Sequence, residues 1–78
     1  MKVIIVDSKN NQNAINIMES DTILELKNQI KKKNKITGDI ELLFNGQIIQ
    51  DNDNLFDLGI SDGSQINYLG VFKAGNNI

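Results

Sequence analysis

A single helical segment stands between strand-forming runs in this chain, which limits the fold to a sheet covered by one helix. Over residues 22–34, Ile23, Leu26 and Ile30 recur at the spacing of an amphipathic helix. These three side chains form one apolar stripe. The sequence therefore predicts one helix that packs against a sheet through this stripe.

Both ends of this helix carry recognisable end patterns. Thr22 with Glu25 three residues later fits a capping box. The lysines of KKKNK, residues 31–35, crowd the far end, where the helix dipole favours positive charge. The same run fits a nuclear address or a phosphate-binding patch, but the dipole explains it without either. Asn34 tolerates the left-handed conformation that ends many helices, so the helix is predicted to stop there.

The remaining segments predict strands and turns. The strands are predicted at residues 2–6, 14–17, 41–44, 47–49 and 64–72. A polar turn at 8–13 joins the first two strands. Asn45-Gly46 is the preferred two-residue loop of a β-hairpin and joins the next pair. Residues 51–54 read as a turn, and 55–59 as one short helical turn.

One helix among these strands cannot build a doubly wound sheet, so the predicted fold class is α+β with the helix on one face of a mixed sheet. The second strand, the helix and the third strand form a crossover that should be right-handed. The first and last strands can then pair in the middle of the sheet. We expect one domain at residues 1–72 and a flexible tail or linker at 73–78.

Composition narrows the function. The chain has no cysteine and no histidine, so most nucleophile–base pairs of enzymes cannot be built. The net charge is −2 and every basic residue is a lysine, which disfavours nucleic-acid binding. No apolar run is long enough to span a membrane or to form a signal peptide. We expect a cytoplasmic or nuclear, monomeric protein that is not an enzyme and needs no cofactor.

A metal site is also not expected. DNDN at residues 51–54 resembles the start of a calcium loop. However, Leu55 and Phe56 occupy the positions that need a ligand and a glycine. The carboxylates Glu19, Asp21 and Glu25 are explained by the positive end of the helix.

Several residues and their spacing resemble ubiquitin, with a single deletion near residue 40. The matching residues are SDTI at 20–23, Lys27, Ile30, Ile36, Asp39, LLF-x-G at 42–46, Asp51, Leu55, Asp57 and Ile60. The likeness covers about residues 1–72. Because few other residues are identical, the chain resembles a ubiquitin-like domain of the ubiquitin superfamily rather than ubiquitin itself.

The resemblance implies a β-grasp fold, in which a mixed five-stranded sheet grips one helix. Its implied core comprises Val3, Ile5, Ile15, Ile17, Ile23, Leu26, Ile30, Leu42, Ile49, Leu55, Ile60, Ile66 and Tyr68. Asn13 falls where the family has an inward aliphatic residue, which suggests a shortened hairpin or a shifted register. A buried amide without partners costs about 1–3 kcal/mol, so we expect Asn13 near the surface. Lys27 and Asp51 match a partly buried ion pair with a structural role.

The family binds partners through an apolar patch on the open face of the sheet. The corresponding residues are Ser8, Leu43, Asn67 and Leu69, and strand alternation also directs Ile4 and Val6 outward. The predicted patch comprises Ile4, Val6, Ser8, Leu43, Gly46, Gln47, Ile48, Asn67 and Leu69. As an alternative, Leu43 and Val6 merely cover each other or lie under the tail.

The rim of this patch differs from that of ubiquitin. Positions that are basic in the family are occupied here by Val6, Glu41, Gln47 and Val71. A partner should therefore differ in charge from ubiquitin's acidic helical partners, or depend more on apolar contact. We expect weak binding to ordinary ubiquitin receptors.

The likeness leaves three roles open, because a fold alone does not fix a function. Conjugating family members end in Gly-Gly, whereas residues 74–78 read AGNNI. We therefore favour a protein-interaction module within a larger ubiquitin- or proteasome-pathway protein. Its partners would be ubiquitin-pathway receptors, proteasome subunits or chaperones. The alternatives are a covalent modifier with an atypical or unprocessed C-terminus, and a regulatory domain of an enzyme such as a deubiquitinase.

Overall fold

The computed structural model describes residues 1–71, and Val71 by its backbone alone. Phe72, the end of the last predicted strand, and the predicted tail at residues 73–78 lie outside the described residues.

One helix lies against a five-stranded mixed sheet, as the sequence predicts. The elements are β1 Lys2–Val6, β2 Gln12–Asn16, α1 Ile23–Asn34, β3 Asp39–Phe44, β4 Gln47–Ile48 and β5 Gln65–Val71. The strand order is β2-β1-β5-β3-β4. β1 and β5 pair in parallel, and the other pairs are antiparallel. The first and last strands are therefore neighbours inside the sheet, and the fold is the α+β β-grasp.

The turn of the N-terminal hairpin ends at an earlier residue than predicted. Strand β2 begins at Gln12, which pairs with Val6, so the polar turn does not extend over residues 8–13. Asn13 pairs with Ile5 on regular antiparallel register and is half-buried. The hairpin is thus neither shortened nor shifted at Asn13, and the expected surface position is met only in part. Cross-strand hydrogen bonds outweigh the turn preference of these polar residues.

The helix starts at the predicted cap. Thr22 Oγ1 accepts a hydrogen bond from the Glu25 backbone N–H at 3.3 Å. The second half of the capping box does not form, because the Glu25 carboxylate accepts from Gln29 Nε2 at 3.0 Å instead. Only one of the two reciprocal contacts therefore caps this end.

The helix ends at Asn34 as predicted, but the left-handed residue is Lys35, with φ 57° and ψ 43°. The Asn34 amide donates to the Ile30 carbonyl at 3.0 Å, which keeps Asn34 in the last turn of the helix. The Lys35 N–H then donates to the Lys31 carbonyl and closes the helix.

The β3–β4 hairpin has the predicted turn. Asn45 and Gly46 both have positive φ, 55° and 81°, as a type I′ turn requires. Strand β4 is short, although Ile49 beyond it still donates to the Leu42 carbonyl at 3.0 Å. The single helical turn predicted at residues 55–59 is present as a run of turns, in which the Leu58 N–H donates to the Asn54 carbonyl at 3.3 Å.

The core lies between α1 and the inner face of the sheet. It comprises Val3, Ile5, Ile15, Ile17, Ile23, Leu26, Ile30, Ile40, Leu42, Ile49, Leu55, Ile60 and Ile66. Ile40 was missed in the sequence, although it alternates with Glu41 beside the buried Leu42. Tyr68 was predicted in the core but is only half-buried and packs against its edge.

The predicted ion pair between Lys27 and Asp51 is present. Lys27 Nζ lies 2.6 Å from Asp51 Oδ1 and 3.8 Å from Glu41 Oε1. The same loop is fixed to the start of α1, since the Leu24 N–H donates to the Asp51 carbonyl at 3.1 Å. This pair therefore joins the helix to the segment that leads from β4 to β5.

Two leucines on α1 offer a matched test of this packing. Leu26 is fully buried and Leu24 is 47% exposed. We expect Leu26→Ala to lower the free energy of unfolding by about 2–5 kcal/mol, because it removes buried methyl groups and leaves a cavity. Leu24→Ala should change it by less than about 1 kcal/mol. Urea denaturation followed by circular dichroism measures both, and equal losses would contradict this packing.

Candidate protein-interaction surface

The face of the sheet opposite the helix carries a row of cross-strand neighbours. In the strand registers, Asn67 of β5 lies opposite both Val6 of β1 and Leu43 of β3. Leu43 in turn lies opposite Ile48 of β4. Because neighbours in register point to the same face, these four side chains form one row across the sheet. With Leu69, two residues beyond Asn67, they are called the open-face patch.

Exposure within this patch is uneven. Ile48 is 55% exposed and Leu69 is 44% exposed. Leu43 faces outward as expected but is half-buried, so its expected exposure is met only in part. Val6 was also expected to be exposed, but only 9% of it is. It lies inside the sheet between Gln12 and Asn67, and neighbouring side chains cover most of its surface.

A shallow groove of about 180 Å³ runs over the buried end of this patch. Its lining residues are Val6, Asp7, Ser8, Leu43, Asn67, Tyr68 and Leu69. The structure thus brings together Ser8, Leu43, Asn67 and Leu69, as the family likeness implies.

The other predicted site residues lie at the margins. Ile4 is half-buried and pairs with Gln65, two residues before Asn67 on β5. Gly46 is exposed in the hairpin turn. Gln47 pairs with Phe44, whose side chain packs against the core. By alternation Gln47 lies on the opposite side of the hairpin from Ile48, so it does not belong to the open-face patch.

Asp7 shapes the loop beside the groove and was missed in the sequence. Its Oδ1 accepts hydrogen bonds from the backbone N–H groups of Lys9 at 2.8 Å and Asn11 at 2.9 Å. Its Oδ2 accepts from Asn11 Nδ2 at 3.1 Å. These bonds, the Asn11 backbone bond first, lower the pKa of the Asp7 carboxyl below its ordinary value of 3.8. An Asp followed by polar residues with turn preference could have indicated this side-chain-stabilised turn.

The rim of the patch combines polar groups with two carboxylates. Ser8 and Asn67 are exposed polar residues beside the apolar side chains, and Asp7 also lines the groove. Glu41, opposite Leu69 on β3, is half-buried, and its Oε1 lies 3.8 Å from Lys27 Nζ. The rim therefore carries hydrogen-bonding groups and negative charge.

Metal-binding groups and membrane-spanning helices are both absent from residues 1–71. In this range no three or more His, Cys, Asp or Glu side chains form a group that could hold a metal ion. No helix of the same range is long and apolar enough to cross a membrane.

Comparison with known proteins gives one family. The sequence pattern described as the Ubiquitin family matches residues 3–70, from β1 into β5 with the whole helix between them. No curated protein matches the chain.

The Asp7 turn makes a testable contribution to acid stability. Because its folded pKa lies below the unfolded value, the carboxylate adds stability above that value, and this is lost as pH falls through the folded pKa. A side-chain NMR titration should place the Asp7 midpoint below 3.8. The Asp7→Asn variant should lose less stability than the parent over the same acid range. A midpoint at or above the ordinary value would refute the role of these hydrogen bonds.

Proposed function

The chain belongs to the ubiquitin family, and from this membership we propose that it is a non-catalytic module that binds other proteins through the open-face patch. The observation that supports this most is the exposure of Ile48 and Leu69 on either side of the half-buried Leu43. None of the three belongs to the buried core cluster. Apolar groups clustered on neighbouring strands are typical of partner surfaces, whereas single exposed aliphatics are common everywhere.

The sequence also supports a non-catalytic role. It contains no histidine and no cysteine, which removes the commonest acid–base group and the thiolate nucleophile. The open-face groove is shallow, and its lining combines aliphatic side chains with Tyr68, the polar groups of Ser8 and Asn67, and a single carboxylate. Such a lining suits the docking of a side chain better than a reaction.

We propose further that the module works within a larger ubiquitin- or proteasome-pathway protein of the cytoplasm or nucleus. Its partners would be ubiquitin-pathway receptors, proteasome subunits or chaperones that present an apolar segment. The Asp7 and Glu41 carboxylates at the rim set the charge preference. Ser8 and Asn67 can hydrogen-bond to polar groups, but they offer no cation to an acidic helix. The preferred segment therefore has an apolar face with uncharged rather than acidic flanks.

An NMR titration with two helical peptides tests the site and its charge preference together. Both peptides carry the same leucine- and alanine-rich face, one flanked by glutamine and the other by glutamate. We expect the glutamine peptide to bind more tightly, with chemical-shift changes centred on Leu43, Ile48 and Leu69. Leu69→Ser should weaken its binding about tenfold, because it removes an exposed apolar contact.

Leu24→Ser is the matched control, since Leu24 is exposed to a similar degree but lies on the helix. It should leave the affinity unchanged. Shift changes away from the open face, or equal effects of the two serine variants, would reject the proposed site. Micromolar binding of the glutamate peptide centred on Leu43 would reject the charge preference alone.

The two alternative roles give different results. A thioester formed with a ubiquitin-activating enzyme would favour the covalent modifier. Docking of the domain on a catalytic domain of the same natural protein would favour the regulatory domain. Neither result is expected of a module that binds separate partners through the open-face patch.

A further inference from the structure

Two loops at the start of the helix carry a second apolar pair, outside the open-face patch. The segment before α1 is joined to the segment after β4 by backbone hydrogen bonds. The Phe56 N–H donates to the Glu19 carbonyl at 3.1 Å, and the Leu55 N–H donates to the Asp21 carbonyl at 3.2 Å. Residues 18–21 and 55–57 are therefore held side by side, although they are distant in sequence.

Met18 and Phe56 are exposed on these two segments. Met18 is 66% exposed and Phe56 is 65% exposed, more than either apolar side chain at the edge of the open-face patch. The buried contacts of the same segments are made by their neighbours Ile17 and Leu55. The core therefore does not require an apolar residue at position 18 or 56. A largely exposed phenylalanine beside a second exposed apolar residue suggests a contact surface.

The charged side chains on these two segments are acidic, while the Met1 ammonium donates to the carbonyl of Ile17, the neighbour of Met18, at 2.8 Å. No lysine occurs in residues 10–26 or 36–72, and the acidic residues within these two ranges are Glu19, Asp21, Glu25, Asp39, Glu41, Asp51, Asp53, Asp57 and Asp62. Lys27, the lysine nearest to Glu19 along the chain, is already paired with Asp51 at 2.6 Å. Over residues 1–71, the Glu19 and Asp57 side chains make no ion pair. Met18, Glu19, Phe56 and Asp57 are called the acidic pole.

We propose that the acidic pole binds a basic amphipathic segment of a partner protein. One apolar side chain of that segment lies against Phe56 and Met18, while its lysines or arginines lie beside Glu19 and Asp57. Opposite charges direct such a segment to this pole. An arginine or lysine over the Phe56 ring adds a cation–π contact. The acidic pole shares no residue with the open-face patch, so each proposal can be tested and rejected without the other.

A second copy of this chain could also supply positive charge to the acidic pole, with the lysines at the C-terminal end of α1. That end is positively charged, but it lacks an exposed apolar side chain that could contact Phe56 and Met18. Within the described part of residues 31–38, no large apolar side chain is exposed, and Ile36 is half-buried against the core. Nothing there would contact Phe56, so the chemistry of the pole favours a different protein.

The test is an NMR titration with a short amphipathic peptide of leucine and lysine, beside a counterpart with glutamate in place of every lysine. We expect the lysine peptide to shift the amide signals of residues 18–21 and 54–57, and the glutamate peptide to leave them unchanged. Phe56→Ser should weaken binding about tenfold. The pair Glu19→Gln and Asp57→Asn should weaken it severalfold at low salt, and added salt should reduce the parent's affinity.

Leu69→Ser is the matched control, because it removes an exposed leucine from the open face and should leave this binding unchanged. Circular dichroism checks that each variant is folded. Equal binding of both peptides, shifts centred on Leu43 and Leu69, or full affinity in Phe56→Ser would overturn the proposal. Self-association of the free protein that Phe56→Ser abolishes would also overturn it, since the pole would then belong to a second copy.

Discussion

Ile23, Leu26 and Ile30 lose all of their solvent-exposed surface where α1 packs on the inner face of the sheet. Burying one such side chain contributes about 1.5–3 kcal/mol. A 12-residue helix is marginal by itself in water, so this contact supplies most of the helix's stability. The packing of α1 also buries one face of the sheet in the core. The other face has no covering helix within residues 1–71, and the open-face patch lies there.

Strand alternation links the core to that surface. In β3, Ile40 and Leu42 face the core, while Leu43 between Leu42 and Phe44 faces the open side. A slip of one residue in register would exchange the two sets of side chains. The Asn45-Gly46 turn fixes the β3–β4 register and so places Leu43 opposite Ile48. The same turn therefore stabilises the sheet and positions the open-face patch.

Charge is separated along the helix. Glu25 lies in its first turn and Lys31, Lys32 and Lys33 in its last, which suits the helix dipole at both ends. This arrangement stabilises the helix and also leaves one end of the molecule acidic. Family membership accounts for the scaffold. Two surfaces of different chemistry can thus be carried by one small fold.

The sequence by itself determined the helix, the number of strands, the hairpin turn and nearly all of the core. Helical spacing, a Thr cap and an Asn-Gly turn act over a few residues, so they can be read locally. The sequence also indicated most of the open-face patch, through its likeness to the ubiquitin family. Only the tertiary structure decided that Gln12 joins a strand, that Ile40 and Val6 are buried, and that Phe56 lies beside Glu19. Burial and strand pairing depend on neighbours distant in sequence, which no local pattern specifies.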